Sequence, residues 1–167
     1  MSGGDRAGPV TALARSSALG LLTGIGPQAG VVGVGVDAVD IHRFARVLAR
    51  RAAIADRLFT AGELAYARSA ADPVPRLSTR FAAKEAVMKA LGVGLGAFSF
   101  HDVAVVRIGL EAPGLVLSGE AGAMAARRGV SRWHLSLSHT GEVAVALVVA
   151  EGGVERAARS TAPPGKP

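Results

Sequence analysis

The sequence predicts a single domain of the α+β class. Its 167 residues, half of them apolar, suit one domain with a substantial core. Helical periodicity is strongest over residues 76–91 (RLSTRFAAKEAVMKAL). Apolar and polar residues alternate over residues 133–139 (WHLSLSH), whereas residues 142–150 (EVAVALVVA) are an almost continuous apolar run. Both segments predict strands, and a turn at Thr140 and Gly141 separates them. A strong helix followed by a predicted hairpin indicates an α+β fold.

The segment before the long helix predicts one strand and two shorter helices. Residues 31–37 (VVGVGVD) are a short apolar run with glycines, which predicts a buried strand ending at Asp37. A helical pattern follows over residues 40–58. Thr60 and Glu63 then match a capping box, in which each side chain bonds the other residue's backbone N–H, so a second helix begins there.

The segment after the long helix supplies the remaining elements. Gly92 ends the helix, because glycine readily adopts the left-handed conformation that terminates helices. The pattern then predicts a glycine-rich loop at 92–100, strands at 102–108 and 115–117 separated by a turn at Pro113 and Gly114, and a helix at 119–128. The predicted order is β-α-α-α-β-β-α-β-β.

The two ends of the chain differ from its middle. Residues 1–30 and 153–167 lack sustained periodicity, so we expect a flexible N-terminal extension and a flexible C-terminal tail around a domain at 31–152. No apolar run approaches the roughly 20 residues that a membrane-spanning helix needs. We therefore expect a cytoplasmic protein without a membrane partner.

The charge balance favours an anionic partner. The formal net charge is +6, which suits nucleic acid, an anionic cofactor or an acidic protein. One Trp, one Tyr and five Phe are few for a surface that stacks on bases, so we expect no nucleic-acid partner. Cysteine is absent, which leaves oxygen or imidazole ligands for any metal.

Two carboxylates, those of Asp37 and Glu85, occupy positions where they could bind a ligand or a cation. Asp37 is either a solvated residue at a strand end or a carboxylate pointing into a cleft, where its small neighbours admit a ligand. Glu85 and Lys89 lie four residues apart on one helix face. They could form an exposed ion pair worth about 0.3–0.5 kcal/mol. Alternatively, Glu85 could hold a hard cation and Lys89 a phosphate.

A histidine lies between two hydroxyl residues just before the turn of the predicted hairpin. His139 is either a surface histidine or, with its neighbours Ser138 and Thr140, part of a phosphate-binding edge. Neighbouring strand residues point to opposite faces, so Ser138 cannot use His139 as its base. The segment therefore does not indicate a serine hydrolase.

Arginines occupy one face of the first predicted helix. Arg43, Arg46 and Arg50 follow at helical spacing, and no acidic residue lies between Asp40 and Asp56. Such a face is either solvated or a docking surface for an acidic helix or nucleic-acid phosphates.

Three of these segments together resemble one family. They are GVGVDAVDIHRF (33–44), RFAAKEAVMKALG (80–92) and SLSHTGEVAVALVV (136–149). In order and separation they are similar to the signatures of the holo-[acyl-carrier-protein] synthases, the short type of 4′-phosphopantetheinyl transferase. The resemblance covers about residues 31–150. It implies the phosphopantetheinyl-transferase fold with a long central helix, assembled as a homotrimer whose active sites are shared between adjacent subunits.

The resemblance also implies a reaction and its residues. The 4′-phosphopantetheine of coenzyme A moves to a serine of an apo acyl carrier protein, and adenosine 3′,5′-bisphosphate leaves. Asp37 and Glu85 match the Mg²⁺ ligands, and Lys89 matches the lysine at the reacting phosphate. The remaining matches are Arg80, His139 and Thr140 to contacts with coenzyme A, and Arg43 and Arg50 to contacts with the acidic helix of the carrier protein.

The sequence does not decide the general base, the conformation of one loop or the choice between alternative functions. Either a metal-bound water or Glu85 acting through a water could take the serine proton. The chain departs from the family pattern at residues 111–114 (EAPG), where the family has a Gly-basic-Pro turn. The alternatives are a nucleic-acid-binding module and a catalytically inactive relative, and the presence of Asp37, Glu85 and Lys89 argues against the second.

Overall fold

An antiparallel sheet with helices on one face forms the part of the chain that the computed structural model describes, residues 30–50, 53–107 and 112–153. The α+β class predicted from the sequence is confirmed. In chain order the elements are β1 (Gly30–Asp40), α1 (Ile41–Arg50), α2 (Ala53–Leu58), α3 (Ala61–Arg68), α4 (Val74–Ala90), a 3₁₀ turn (Phe100–Asp102), β2 (Val103–Val106), β3 (Gly114–Leu117), α5 (Gly119–Arg127), β4 (Val130–His139) and β5 (Val143–Gly152).

The main sheet has the strand order β1-β5-β4, with every pair antiparallel. The predicted β4–β5 hairpin is confirmed, and β5 lies in the centre because β1 pairs with its other edge. Residues of β5 alternate between buried and exposed over most of the strand, so the sheet has an inner and an outer face. A separate two-stranded ribbon pairs β2 with β3.

Helix α4, 17 residues long, covers the inner face of the sheet. The contact is made by small side chains, Ala86 and Ala90 from the helix and Ala146 and Val148 from β5. β1 approaches the helix backbone still more closely through its glycines. A Cβ added at Gly35 would lie only 1.9 Å from the carbonyl oxygen of Ala86, and one at Gly33 would lie 2.0 Å from that of Ala90.

A second apolar cluster joins the three N-terminal helices to α4. Phe44 of α1, Phe59 between α2 and α3, Leu64 of α3 and Leu77 of α4 are buried together. Phe44 meets Phe59 edge to face and stacks on Phe81 of α4 at a centroid distance of 5.0 Å. This cluster fixes the position of α1 beside the end of β1.

The structure corrects two of the predicted boundaries. β1 does not end at Asp37 but continues to Asp40, because β5 extends to Val143 and offers ladder partners for these residues. The single helix predicted over 40–58 is two helices, α1 and α2. Both pack against the Phe44–Phe59 cluster, α1 also contacts α4, and α2 also contacts the 3₁₀ turn. Residues 51–52 between them lie outside the described residues.

The outer face of the sheet has apolar side chains that no described element covers. Val34 and Val36 of β1 and Leu147 of β5 are 56%, 54% and 42% exposed, and Val145 lies beside them. The column on β4 is polar, with His134, Ser136 and Ser138 opposite these positions of β5. Monomeric proteins rarely expose a contiguous apolar patch of this kind.

The predicted terminal segments lie almost entirely outside the described residues, which reach only Gly30 and Gly153 at those ends. Residue 108, the last of the predicted strand 102–108, and residues 109–111 before the predicted turn also lie outside them. None of the described helices is long and apolar enough to cross a membrane.

Candidate active site

Asp37 and Lys89 meet where β1 passes over the end of α4. Asp37 pairs with Ala146 in the sheet, so its side chain lies on the inner face with the helix. The amine of Lys89 donates to Asp37 Oδ1 and to the carbonyl oxygen of Val36, both at 2.9 Å. The close approach of strand and helix at Gly33 and Gly35 makes these contacts possible.

This pairing differs from the one that the sequence spacing suggested. Among the described residues, Lys89 forms its ion pair with Asp37 and not with Glu85, four positions earlier on the same helix. The Lys89 side chain is 53% exposed and that of Asp37 only 10%. The carboxylate is therefore anchored, whereas the lysine can move on its flexible stem.

Glu85 and Asp37 open into the same cleft, which has a volume of about 640 Å³. Asp40 and Arg43 complete its polar end. The rest of the lining is mostly apolar and comes from α1, α2, α4 and the loop after α4: Phe44, Val47, Ile54, Leu58, Phe81, Leu95 and Phe100. The cleft thus combines three carboxylates, those of Asp37, Asp40 and Glu85, and one arginine with a long apolar wall.

The two carboxylates influence one another electrostatically. Burial raises the pKa of Glu85 above its usual value, and the charge of Asp37 adds to this effect, while Lys89 opposes it. Two carboxylates facing one cleft with a single neighbouring lysine favour a further positive charge.

A hard divalent cation fits this donor set. Asp37 and Glu85 supply only oxygen atoms, and Mg²⁺ commonly takes one or two carboxylates while retaining water or phosphate oxygens as its other ligands. Within the described ranges no group of three or more His, Cys, Asp or Glu side chains could hold a metal. A two-carboxylate site is therefore the arrangement to consider here.

The arginines predicted to bind a carrier protein lie on α1 at the edge of the cleft. Arg43, Arg46 and Arg50 are all exposed, and Arg43 lines the cleft itself. The backbone N–H of Arg43 donates to Asp40 Oδ1 at 2.8 Å, which fixes the start of the helix. This bond is the largest influence on Asp40 and lowers the pKa of its carboxyl.

Arg80 lies outside this cleft. It is five residues before Glu85 on α4, about 140° around the helix, so the two side chains face different sides. Arg80 is only 4% exposed, and its guanidinium lies over the Tyr66 ring at 4.1 Å, with Arg76 also on that ring. Burial lowers the pKa of Arg80. Its Nε has no hydrogen-bond partner within the described part of the chain.

The shallow concavity beside Arg80 is a second polar surface. Its volume is about 210 Å³, and Tyr66, Arg80 and Arg107 line it. Arg107 donates to the Tyr66 hydroxyl at 3.4 Å, and this contact lowers the pKa of that hydroxyl. Three arginines around one tyrosine form a concentrated positive surface that suits phosphate.

His139 and Thr140 lie at the end of β4. His139 pairs with Ala144, which also pairs with Val39, so His139 is two strands from β1 on the inner face, about 10 Å across the sheet. Its Nδ1 lies 3.2 Å from the carbonyl oxygen of Thr140. The Thr140 hydroxyl accepts the N–H groups of Glu142 and Val143 and so closes the turn. Neither His139 nor Thr140 lines the Asp37–Glu85 cleft.

The sequence analysis missed residues that shape the site. Asp40, Leu95 and Phe100 line the cleft, although Asp40 was given no role within the 33–44 segment and the other two lie in the predicted glycine-rich loop. Lys84, next to Glu85, is buried and paired with Glu63. The capping box did reveal Glu63, and the structure confirms that box, but its local role gave no sign of a distant lysine.

Comparison with known proteins identifies the family. Residues 33–148 match the 4′-phosphopantetheinyl transferase superfamily. A holo-[acyl-carrier-protein] synthase of Frankia casuarinae is 54% identical over 121 residues, covering 72% of this chain and 98% of the relative. One from Salinispora arenicola is 52% identical over 122 residues, with the same shares covered.

Solved structures agree with this assignment. The crystal structure of the holo-[acyl-carrier-protein] synthase of Neisseria meningitidis has a TM-score of 0.67 at 35% identity, covering 72% of this chain and 98% of that one. The Bacillus anthracis enzyme, solved in complex with coenzyme A (3′,5′-ADP), has a TM-score of 0.62 at 32% identity, covering 75% and 100%. The chain therefore belongs to the holo-[acyl-carrier-protein] synthases, enzymes of the 4′-phosphopantetheinyl transferase superfamily.

Proposed function

We propose that this enzyme transfers 4′-phosphopantetheine from coenzyme A to a serine of an apo acyl carrier protein in the cytoplasm, releasing adenosine 3′,5′-bisphosphate. The observation that carries the proposal is that Asp37 and Glu85 line one cleft while Lys89 contacts Asp37. Family membership and the coenzyme A complex of the Bacillus anthracis relative add support. A carrier protein of fatty acid biosynthesis is the first acceptor to test, and a polyketide carrier the second.

Mg²⁺ would be held by the carboxylates of Asp37 and Glu85. When bound, it would offset negative charge that develops on the phosphate oxygens. The raised pKa of Glu85 supports the proposal, because it reflects burial and the like charge of Asp37, which Lys89 offsets only in part. Asp37 is held rigidly in β1, whereas Glu85 belongs to α4, so strand and helix each contribute one ligand.

Lys89 would hold the reacting phosphate. In the reaction the serine hydroxyl loses its proton to a water and its oxygen bonds to the β-phosphorus of coenzyme A. The bond from that phosphorus to the bridging oxygen breaks, and the electron pair leaves with the adenosine bisphosphate. An exposed amine on a flexible stem can turn from Asp37 to a phosphate oxygen without disturbing the helix. Its positive charge would stabilise the transition state of this step.

Arg43 and Arg50 would bind the acidic helix of the carrier protein. Both are exposed on α1, about 10 Å apart along the helix axis. Arg43 also lines the cleft, so a carrier bound to α1 would bring its serine near Asp37 and Glu85. Exposed charges of one sign steer an oppositely charged partner and set its orientation.

The active form would be a homotrimer in which adjacent subunits share a site. Two features support this proposal. The outer face of the sheet has uncovered apolar residues, among them Val34, Val36 and Leu147, that another copy of the chain could bury. Arg80 and His139 lie outside the Asp37–Glu85 cleft of their own chain, as residues acting on a neighbour's coenzyme A would. Thr140 would act with His139.

Intact-mass spectrometry tests the reaction directly. An apo acyl carrier protein is incubated with the enzyme, coenzyme A and Mg²⁺, and a parallel sample contains EDTA. We expect a gain of about 340 Da, the mass of one phosphopantetheine, which EDTA abolishes.

Two variants separate the possible outcomes of this assay. Asp37→Ala and Glu85→Ala should lose the transfer while keeping a folded circular-dichroism spectrum. Full transfer by either variant would remove that carboxylate from the site. A wild-type enzyme that modifies no fatty-acid or polyketide carrier would contradict the proposed function itself.

A further inference from the structure

A buried ion pair lies beneath the cleft and has no part in the proposed reaction. The Lys84 amine lies 2.9 Å from Glu63 Oε2, and the two side chains are 0% and 1% exposed. Lys84 immediately precedes Glu85 on α4, so its side chain points about 100° away from the cleft and into the core. Burial lowers the pKa of Lys84, and the charge of Glu63 opposes this effect.

The pair is completely hydrogen-bonded. A lysine has three N–H donors, and those of Lys84 go to Glu63, to the carbonyl oxygen of Phe100 at 2.8 Å and to the carbonyl oxygen of Val103. Glu63 Oε1 accepts the N–H of Val105 at 3.0 Å. The two side chains therefore tie together α3, α4 and the backbone of residues 100–105.

One of these anchored residues, Phe100, forms part of the cleft wall. Its ring packs against Phe81 at a centroid distance of 5.6 Å, and Phe81 stacks on Phe44 of α1. Phe44, Phe81 and Phe100 all line the cleft that contains Glu85. Lys84 thus binds the backbone of one wall residue, Phe100, and directly precedes another, Glu85.

Stability alone does not account for such a pair. The cost of desolvating two buried charges offsets much of their attraction. A protein with apolar residues of similar size in the same place is therefore often at least as stable. Charged, directional bonds do fix the relative positions of the groups that they join. What the pair does provide here is a defined distance between α4 and the Phe100 backbone.

We propose that Glu63 and Lys84 are positioning residues that set the width of the cleft at Phe100 and thereby the binding of the acceptor protein. This inference rests on the proposed function, in which the carrier protein binds α1 and its serine enters the cleft. Phe100 belongs to the wall that reaches α1 through Phe81 and Phe44. Lys89, assigned to the phosphate, lies five residues further along α4 and pairs with Asp37 instead.

The test is steady-state kinetics of the double variant Glu63→Gln/Lys84→Met in the full-length protein. It removes both charges at once, whereas Lys84→Met alone would leave Glu63 buried and uncompensated. We expect the KM for apo carrier protein to rise about tenfold, with the KM for coenzyme A unchanged. The matched control, Glu120→Gln/Arg127→Met, removes one negative and one positive charge at an exposed ion pair and should alter neither constant.

A second variant asks whether the effect passes through Phe100. Phe100→Leu keeps the buried pair and changes only the ring, so it should raise the same KM. Combined with the double variant, it should add little, because residues that act through one contact are not additive. Additive effects, or a rise confined to the KM for coenzyme A, would overturn the proposal.

The assay must distinguish misfolding of the variant and failure of the proposed function from failure of the positioning inference. If the double variant melts early, Phe100→Leu, which keeps the buried pair, replaces it in the assay. An unchanged KM for carrier protein in that variant would also overturn the inference. A wild-type enzyme without any transfer would instead contradict the proposed function.

Discussion

The amine of Lys89 lies 2.9 Å from Asp37 Oδ1, so a lysine of α4 neutralises a carboxylate of β1. A cation that binds Asp37 and Glu85 must therefore share Asp37 with Lys89 or displace it. Displacement is easy for a side chain that is 53% exposed, and the displaced amine would be free to hold phosphate. The Asp37–Lys89 contact thus links cation binding to the availability of the lysine.

Lys89→Met should bind Mg²⁺ more tightly than the wild type although it transfers phosphopantetheine more slowly. Loss of a positive charge a few ångströms from the cation site favours binding by about 1 kcal/mol, or about fivefold in Kd, after allowance for screening. Isothermal titration with Mg²⁺ in the absence of coenzyme A measures this. Arg128→Met, which removes one charge from an exposed distant position, is the control. Unchanged or weaker binding by Lys89→Met would show that the lysine does not compete with the cation.

The stability of the metal-free protein should depend on pH through Glu85. Burial, with the charge of Asp37, raises the pKa of Glu85 in the folded state above its unfolded value. The folded state then holds this proton more tightly, so the contribution to stability is present at low pH and is lost as pH rises through the raised pKa. Relative to Glu85→Gln, the wild type should become less stable as the pH rises above about 4.5, the ordinary pKa of a glutamate.

Urea unfolding in EDTA at several pH values measures this difference directly. EDTA is needed because a bound cation would favour the charged carboxylate. A difference in unfolding free energy between wild type and Glu85→Gln that stays constant with pH would contradict the expectation.

Gly35→Ala should destabilise the fold and separate Asp37 from Lys89. The added Cβ would lie 1.9 Å from the Ala86 carbonyl oxygen, so β1 and α4 must move apart. Overpacking of this kind costs about 1–3 kcal/mol, which chemical denaturation would detect. Gly62→Ala is a suitable control, since its Cβ would meet no atom within 4 Å and alanine favours the helix at that position. Equal stability of the two variants would contradict the close-packing argument.

The sequence predicts most of the secondary structure because periodicity and capping are local. The helix α4, the β4–β5 hairpin and the capping box of Thr60 and Glu63 all follow from residues near one another in the chain. The place of β1 does not follow in this way. It pairs with β5, more than a hundred residues later, and that pairing depends on the whole inner face of the sheet.

The same distinction applies to the site. Spacing on one helix suggested that Lys89 pairs with Glu85. The glycines of β1 instead bring Asp37 close enough to pair with Lys89. Glu63 has a complete local role as a capping residue, which concealed its bond to Lys84. Contacts between distant segments are set by packing, and local patterns do not record them.

The outer face of the sheet should be the surface through which copies of the chain associate. Val36→Lys places a charge in the centre of the apolar column of β1, and burying it in an interface would be costly. Light scattering should give three times the 16.8 kDa chain mass for the wild type and a lower mass for the variant. Val116→Lys, at a 52% exposed valine of β3, is the matched control and should leave the mass unchanged. A monomeric wild type with full activity would rule out sites shared between subunits.

Arg43→Glu should weaken binding of the carrier protein more than binding of coenzyme A. Arg43 is exposed on α1 and lines the cleft, so a negative charge there repels an acidic helix as it docks. We expect the KM for carrier protein to rise about tenfold or more and to depend strongly on salt, because screening weakens the repulsion. The KM for coenzyme A should change little.

Two comparisons make this last experiment specific to the docking surface. Arg128→Glu makes the same change in net charge at an exposed position outside α1, so it separates local docking from the overall field of the protein. Arg50→Glu tests the far end of α1, where contact with the acidic helix should have a similar effect without touching the cleft. If Arg43→Glu raised the KM for carrier protein and Arg50→Glu did not, the acceptor would enter the cleft without lying along α1. If neither variant changed it, α1 would not be the docking surface, and the arginines would be a solvated face.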